Sequence, residues 1–134
     1  MDTWYLDTSA AMKLLVFEEE SPAFVEAIDT EKPLLTSSTL LVTELNRARQ
    51  RRASLDASSV NDLLFRLQIF DLDRLAFQHA GALPGKHLRS LDTIHISAAM
   101  LGGCTTMVTY DHRMAEAAEN SGLEVISPGA VANR

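Results

Sequence analysis

Residues 3–17 read TWYLDTSAAMKLLVF, and the change of character at Asp7 decides the architecture. Thr3 to Leu6 are rich in β-favouring residues, whereas Ala10 to Phe17 carry apolar side chains at helical spacing. Asp7, Thr8 and Ser9 stand between them with side chains suited to a helix N-terminus. A strand that passes through an acid into a helix is the opening of a β–α unit.

The same alternation runs on from there. Ser21-Pro22 places a cap and a proline at the start of a helix over 23–29, with Phe24, Val25 and Ile28 on one face, and Pro33 stops it. Leu34 to Ser37 reads as a short strand, after which Ser38 or Thr39 can cap a helix that runs through Leu40, Leu41 and Leu45 to Arg52. Ser54 to Asp56 is a break, 57–67 is a helix, and Ile69 to Leu72 is another strand. Arg74 to Leu83 is helical up to Pro84-Gly85, and Ser90 to Leu101 is helical up to Gly102-Gly103. Thr106 to Tyr110, Asp111 to Asn120 and Leu123 to Ile126 complete the chain as strand, helix and strand. Strands alternating with helices predict an α/β fold of three layers, α/β/α, with a central parallel sheet flanked by helices and ligands at the carboxyl ends of its strands. A chain of 134 residues is expected to form one domain over 1–134.

Composition narrows the function. At 46% hydrophobic and 22% charged the sequence has the make-up of a globular protein. The least polar run, Ile94 to Val108, is broken by Ser97, Gly102, Gly103, Thr105 and Thr106 and is shorter than the ~20 apolar residues of a membrane helix. The N-terminus carries acids where a secretory signal has basic residues. Cys104 is the single cysteine, so neither an internal disulfide nor a thiolate metal site is expected. These features fit the cytoplasm. A net charge of −6 argues against coating nucleic acid by bulk electrostatics, although four of the nine arginines, Arg47, Arg49, Arg51 and Arg52, lie within six residues.

Two acids close strands: Asp7 the first, Asp111 the strand from Thr106. Alone, each serves equally as a cap of the helix that follows. Glu44 borders the apolar stripe of its helix, one turn after Leu40 and beside Leu45, and Asp92 shares a helical row with Ile96 and Ala99 while also suiting a first turn. Together, half-buried carboxylates repel and raise each other's pKa unless a cation neutralises them. Oxygen ligands without His or Cys suit Mg²⁺ or Mn²⁺, which activate water and stabilise the leaving oxygen in phosphodiester hydrolysis.

At these residues the chain resembles a known family. YLDTSAAMKLL (5–15), STLLVTELNRA (38–48), LRSLDTIHISAAM (88–100) and MVTYDHRMAEAAENSGLEVISP (107–128) resemble, in order and over nearly the whole chain, the four acidic motifs of PIN-domain ribonucleases, and more narrowly VapC toxins of bacterial toxin–antitoxin pairs. The resemblance implies a PIN-like sheet, a homodimer, RNA cleavage with Mg²⁺ (Mn²⁺ substituting) to leave a 5′-phosphate and a 3′-hydroxyl, and inhibition by a cognate antitoxin. It assigns Asp7, Glu44, Asp92 and Asp111 as catalytic, metal-holding acids, with Ser9 and Thr109 orienting them.

Arg47, Arg49, Arg51 and Arg52 offer contacts to RNA or antitoxin, against the alternative of a solvated, dipole-favoured helix end. Arg113, two residues after Asp111, is better placed for a phosphate. His95, three after Asp92, is preferred as a buried, hydrogen-bonded structural residue, because an oxygen site for a hard cation does not need imidazole. Two other classes stay open: a non-catalytic binding module on the same fold, and a phosphoaspartyl receiver or phosphatase. Against the second, the only lysines are Lys13, Lys32 and Lys86, and the first strand ends Asp7-Thr8-Ser9 instead of DxD.

Overall fold

The computed structural model describes residues 2–131; residues 1 and 132–134, which the one-domain expectation also covers, lie outside the described residues. Its elements are β1 (Thr3–Leu6), α1 (Thr8–Leu15), α2 (Ser21–Glu31), β2 (Leu34–Ser38), α3 (Thr39–Arg51), α4 (Ala57–Arg66), β3 (Gln68–Phe70), α5 (Arg74–Ala82), α6 (Ser90–Leu101), β4 (Thr106–Val108), α7 (His112–Asn120) and β5 (Glu124–Ile126). The strands form one sheet in the order β3-β2-β1-β4-β5, and every pairing is parallel. The expected α/β fold with a central parallel sheet is therefore the observed one.

Side-chain alternation along β1 builds the layers. Trp4 and Leu6 point to one face and join apolar residues of α1, α2, α3 and α4, while Tyr5 points to the other and packs with residues of α6, β4 and α7. A strand buried on both faces is the mark of a parallel sheet covered by helices.

The order of the strands makes the site. From β1 the chain builds outward through β2 and β3, then crosses back to add β4 and β5 on the other side. Beyond the carboxyl ends of β1 and β4 the connections therefore diverge, which opens a crevice at this switch point.

Element ends differ from expectation where side chains take over from the ladder. β4 stops at Val108 instead of Tyr110 because Tyr110 N donates to Ser9 Oγ and Asp111 N to Thr109 Oγ1. α1 begins at Thr8, with Asp7 as its N-cap. Ser21 is not the cap of α2, a position Glu20 takes; its hydroxyl instead donates to Lys13 O and accepts from Glu18 N. Ser38 does precede α3, without a side-chain cap bond, because its hydroxyl accepts from Tyr5.

α3, which carries Glu44, is fixed to the core by Leu41 and Leu45, both without exposed surface. Leu45→Ala is expected to cost about 2–5 kcal/mol through lost burial and the cavity left behind. Urea unfolding with an unchanged slope and a lower midpoint would show this, and a loss below ~1 kcal/mol would mean that α3 is not anchored there.

Candidate active site

Asp7 follows directly on β1 and is only 3% exposed. Its Oδ1 accepts from Ala10 N at 2.9 Å and from Ser9 Oγ at 2.7 Å, and its Oδ2 accepts from Thr109 Oγ1 at 2.5 Å. Ser9 and Thr109 thus both hold this carboxylate. They in turn accept from Tyr110 N and Asp111 N, which ties the turn after β4 to the end of β1. Burial pushes the Asp7 carboxyl above its ordinary range, and the charge of His95 with the three donated hydrogen bonds offsets that only in part.

A second network lies beside the first. Glu44 Oε1 accepts from Thr8 Oγ1 at 2.5 Å and meets His95 Nε2 at 2.6 Å. His95 Nδ1 lies 2.7 Å from the Tyr5 hydroxyl, which donates to Ser38 Oγ at 2.8 Å. Burial would raise the Glu44 carboxyl, but the hydrogen bond and charge of His95, helped by Thr8, hold it below its usual range. Burial pushes the Tyr5 phenol far up, so it stays a neutral hydroxyl. Asp7 and Glu44 both act on Tyr5 electrostatically, so the two networks border one another.

The other acids stand further out. Asp92 is half-buried in the first turn of α6, and its carboxylate has no hydrogen-bond or ion-pair partner among the described residues. Asp111 is exposed and caps α7, accepting from Arg113 N at 2.9 Å and Met114 N at 3.0 Å. It touches the Asp7 network only through its own N–H on Thr109. Among the described residues no three His, Cys, Asp or Glu side chains gather closely enough to hold a metal unaided. The donors nevertheless fit Mg²⁺, which takes one or two carboxylates and keeps several waters. Asp7 Oδ2 has a single protein donor and so a lone pair to spare, and a cation would relieve its burial.

Of the arginines, Arg47, Arg51 and Arg52 line a groove of about 510 Å³ that also reaches Thr8 and Glu44. Arg49 does not line it; its Nη1 bonds Asn46 Oδ1. Arg113 lines a separate cavity of about 580 Å³ with Lys86, His87 and Leu88. Lys13 pairs with Glu18 and Glu20, unlike the free lysine of a phosphoaspartyl site. His95 is buried and hydrogen-bonded as expected, but its partner is a site acid. Nothing in the motifs marks Thr8, Tyr5 or Ser38 as site residues; the signal the sequence does hold is a polar-tipped aromatic within a strand of apolar residues, which needs a buried partner.

The PIN domain family matches residues 4–120. The chain is 40% identical to Ribonuclease VapC35 of Mycobacterium tuberculosis over 131 residues, 93% of this chain and 96% of that protein. It is 36% identical to Ribonuclease VapC46 of the same organism over 126 residues, 92% and 96% of the two chains. In structure it is similar to VapBC of Salmonella typhimurium, solved bound to DNA, with TM-score 0.76 at 19% identity over 95% of this chain and 98% of that one. VapBC2 of Rickettsia felis, bound to promoter DNA, gives 0.74 at 15% identity over 94% and 98%. At these identities the two structures speak for the fold alone.

The raised Asp7 carboxyl sets a sign for stability. An acid whose pKa is higher folded than unfolded contributes stability at low pH that is lost as pH climbs through the folded value. Asn at this position keeps an acceptor for Ala10 N and Ser9, and its amide can donate to Thr109. In EDTA at pH 7, Asp7→Asn is expected to melt about 2–8 °C above the wild type, with the gap closing toward acid pH. A variant that melts lower at pH 7 would contradict a desolvated carboxylate.

Proposed function

The chain belongs to the PIN-domain family, and we propose that it is a Mg²⁺- or Mn²⁺-dependent endoribonuclease, the toxin of a toxin–antitoxin pair. The observation that carries this reading is the buried Asp7 carboxylate at the sheet's switch point, gripped by Ser9 and Thr109 with Glu44 beside it. The ribonuclease names of its relatives support it.

In this proposal the whole of 1–134 is one nuclease domain, works as a homodimer in the cytoplasm, and is restrained by a cognate antitoxin protein. No helix among the described residues is long and apolar enough to cross a membrane. Asp7 would hold the ion, with Asp92, Asp111 and Glu44 completing its surroundings directly or through water. Bound there, the ion supplies charge stabilisation for the phosphoryl group and lowers the pKa of an attacking water.

The chain's own groups do the rest. Ser9 and Thr109 spend their protons on Asp7, which keeps that carboxylate aimed and unable to rotate. Glu44 has both protein donors on Oε1, so Oε2 is left to accept a proton from the attacking water. Arg47, Arg51 and Arg52, in the groove that reaches Glu44, hold RNA phosphates on either side of the scissile bond. Arg113 contacts RNA further along, beyond Asp111. Hydrolysis leaves a 5′-phosphate and a 3′-hydroxyl.

The test is cleavage of structured and unstructured RNAs by protein freed of antitoxin. Asp7→Asn, Glu44→Gln, Asp92→Asn and Asp111→Asn are each expected to keep the fold while lowering the rate by about 10²–10⁴-fold, and cleavage that survives both EDTA and Asp7→Asn would sink the mechanism. Arg47, Arg51 and Arg52 replaced together by Ala should weaken RNA binding and flatten its salt dependence, by about one unit of slope for each phosphate left unneutralised. Arg49→Ala serves as the control, and an equal effect from it would remove the groove from the account.

A further inference from the structure

His95 is the residue on which the Glu44 network turns. The Tyr5 hydroxyl donates to Ser38 Oγ and lies 2.7 Å from His95 Nδ1, which seats the ring from its far side. The Glu44 carboxylate has no proton to offer to Nε2 at 2.6 Å. Nε2 therefore donates to Glu44. No buried side-chain nitrogen or oxygen among the described residues lacks a hydrogen-bond partner, so this arrangement closes without water.

A histidine serving only the core needs no such partner. His95 is 2% exposed and lies beside the fully buried Ile96, where an apolar residue would pack at no cost in desolvation. Its Nε2 instead reaches, across a sequence separation of 51 residues, an acid that lines the open groove. Ser38, Tyr5, Glu44 and His95 come from the ends or inner faces of β2, β1, α3 and α6, so the position of this ring is fixed by four elements at once. A glutamate side chain turns about three bonds, and two donors converging on a single oxygen remove that freedom.

We propose that His95 is a positioning residue for RNA cleavage: held by Tyr5 and Ser38, its Nε2–H locks the Glu44 carboxylate so that Oε1 is occupied and Oε2 remains for the reaction. This rests on the nuclease reading above. His95 touches neither RNA nor metal and acts through Glu44, which makes its contribution inseparable from that acid.

A double-mutant cycle on cleavage by the full chain reads that dependence directly. His95→Leu should lower kcat by about 10–100-fold at nearly constant KM, and His95→Gln, which can still offer Glu44 an N–H, should recover most of that loss. His95→Leu combined with Glu44→Gln should be no slower than Glu44→Gln alone. Tyr5→Phe, which keeps the ring but removes the group that steadies His95, provides a second entry to the cycle should His95→Leu unfold. Independently of activity, NMR of the wild type should show a slowly exchanging His95 Nε2–H proton, shifted or absent in Glu44→Gln. Additive losses in the cycle, or an Nε2 proton that exchanges freely, would overturn the proposal. A wild type that cleaves no RNA would instead remove the nuclease reading, a result distinct from cleavage with additive variants.

Discussion

The hydrogen bond from Thr109 Oγ1 to Asp7 Oδ2 joins the two halves of this molecule at the point where they part. β1 and β4 are neighbours in the sheet but lie on opposite sides of its reversal in strand order. Their connections diverge beyond Leu6 and Val108, and backbone groups there run out of ladder partners. Side chains fill the role: Ser9 and Thr109 each accept a backbone N–H and donate to the same carboxylate. The polar groups exposed by the change in topology are satisfied by the residues that build the site.

That solution places a carboxylate where water barely reaches, and its raised pKa expresses the cost. Glu44, half-buried and paired with His95, is held the other way. Two acids on adjoining networks are thus tuned apart by environment, one strained by burial and one kept ionised by a neighbour, which is the pattern of groups with different chemical duties. Asp92 and Asp111 are less buried and more loosely held, and in the proposed function they would complete the surroundings of the ion. The acids do not form a closed cage, and a small hard cation that brings its own water does not need one.

How much of this the sequence discloses depends on range. The bounds of α6, Ser90–Leu101, can be read from its apolar spacing and the Gly102-Gly103 stop, and each strand is legible as a β-rich run between turn signals. Asp7 and Asp111 are legible as strand-closing acids, but their geometry is not: local spacing cannot show that β4 ends two residues before Tyr110, leaving Thr109 facing Asp7 while Asp111 turns outward to cap α7. Nor can it show that Tyr5 meets His95, 90 residues away, because that contact depends on the sheet order and on which face of β1 each residue takes. His95 therefore reads from sequence as a structural histidine, and only the assembled network gives it an acid to hold. The arginine cluster divides in the same manner, since helical rotation sends Arg49 to Asn46 and leaves Arg47, Arg51 and Arg52 along the groove.

The proposed function places a divalent ion in the crevice beyond β1 and β4, with Asp7 at its base. Paramagnetic line broadening tests it most directly: Mn²⁺ titrated into the ¹⁵N-labelled protein at substoichiometric amounts erases the amide signals nearest to where it binds. Early loss of Thr8, Ser9, Ala10 and Thr109 to Asp111 is expected, with Thr105 and Glu124 at the opposite end of the sheet unaffected, and the whole effect should vanish in Asp7→Asn. Broadening that centres on Glu18 to Glu20 or on Asp2, or that persists unchanged in Asp7→Asn, would contradict it.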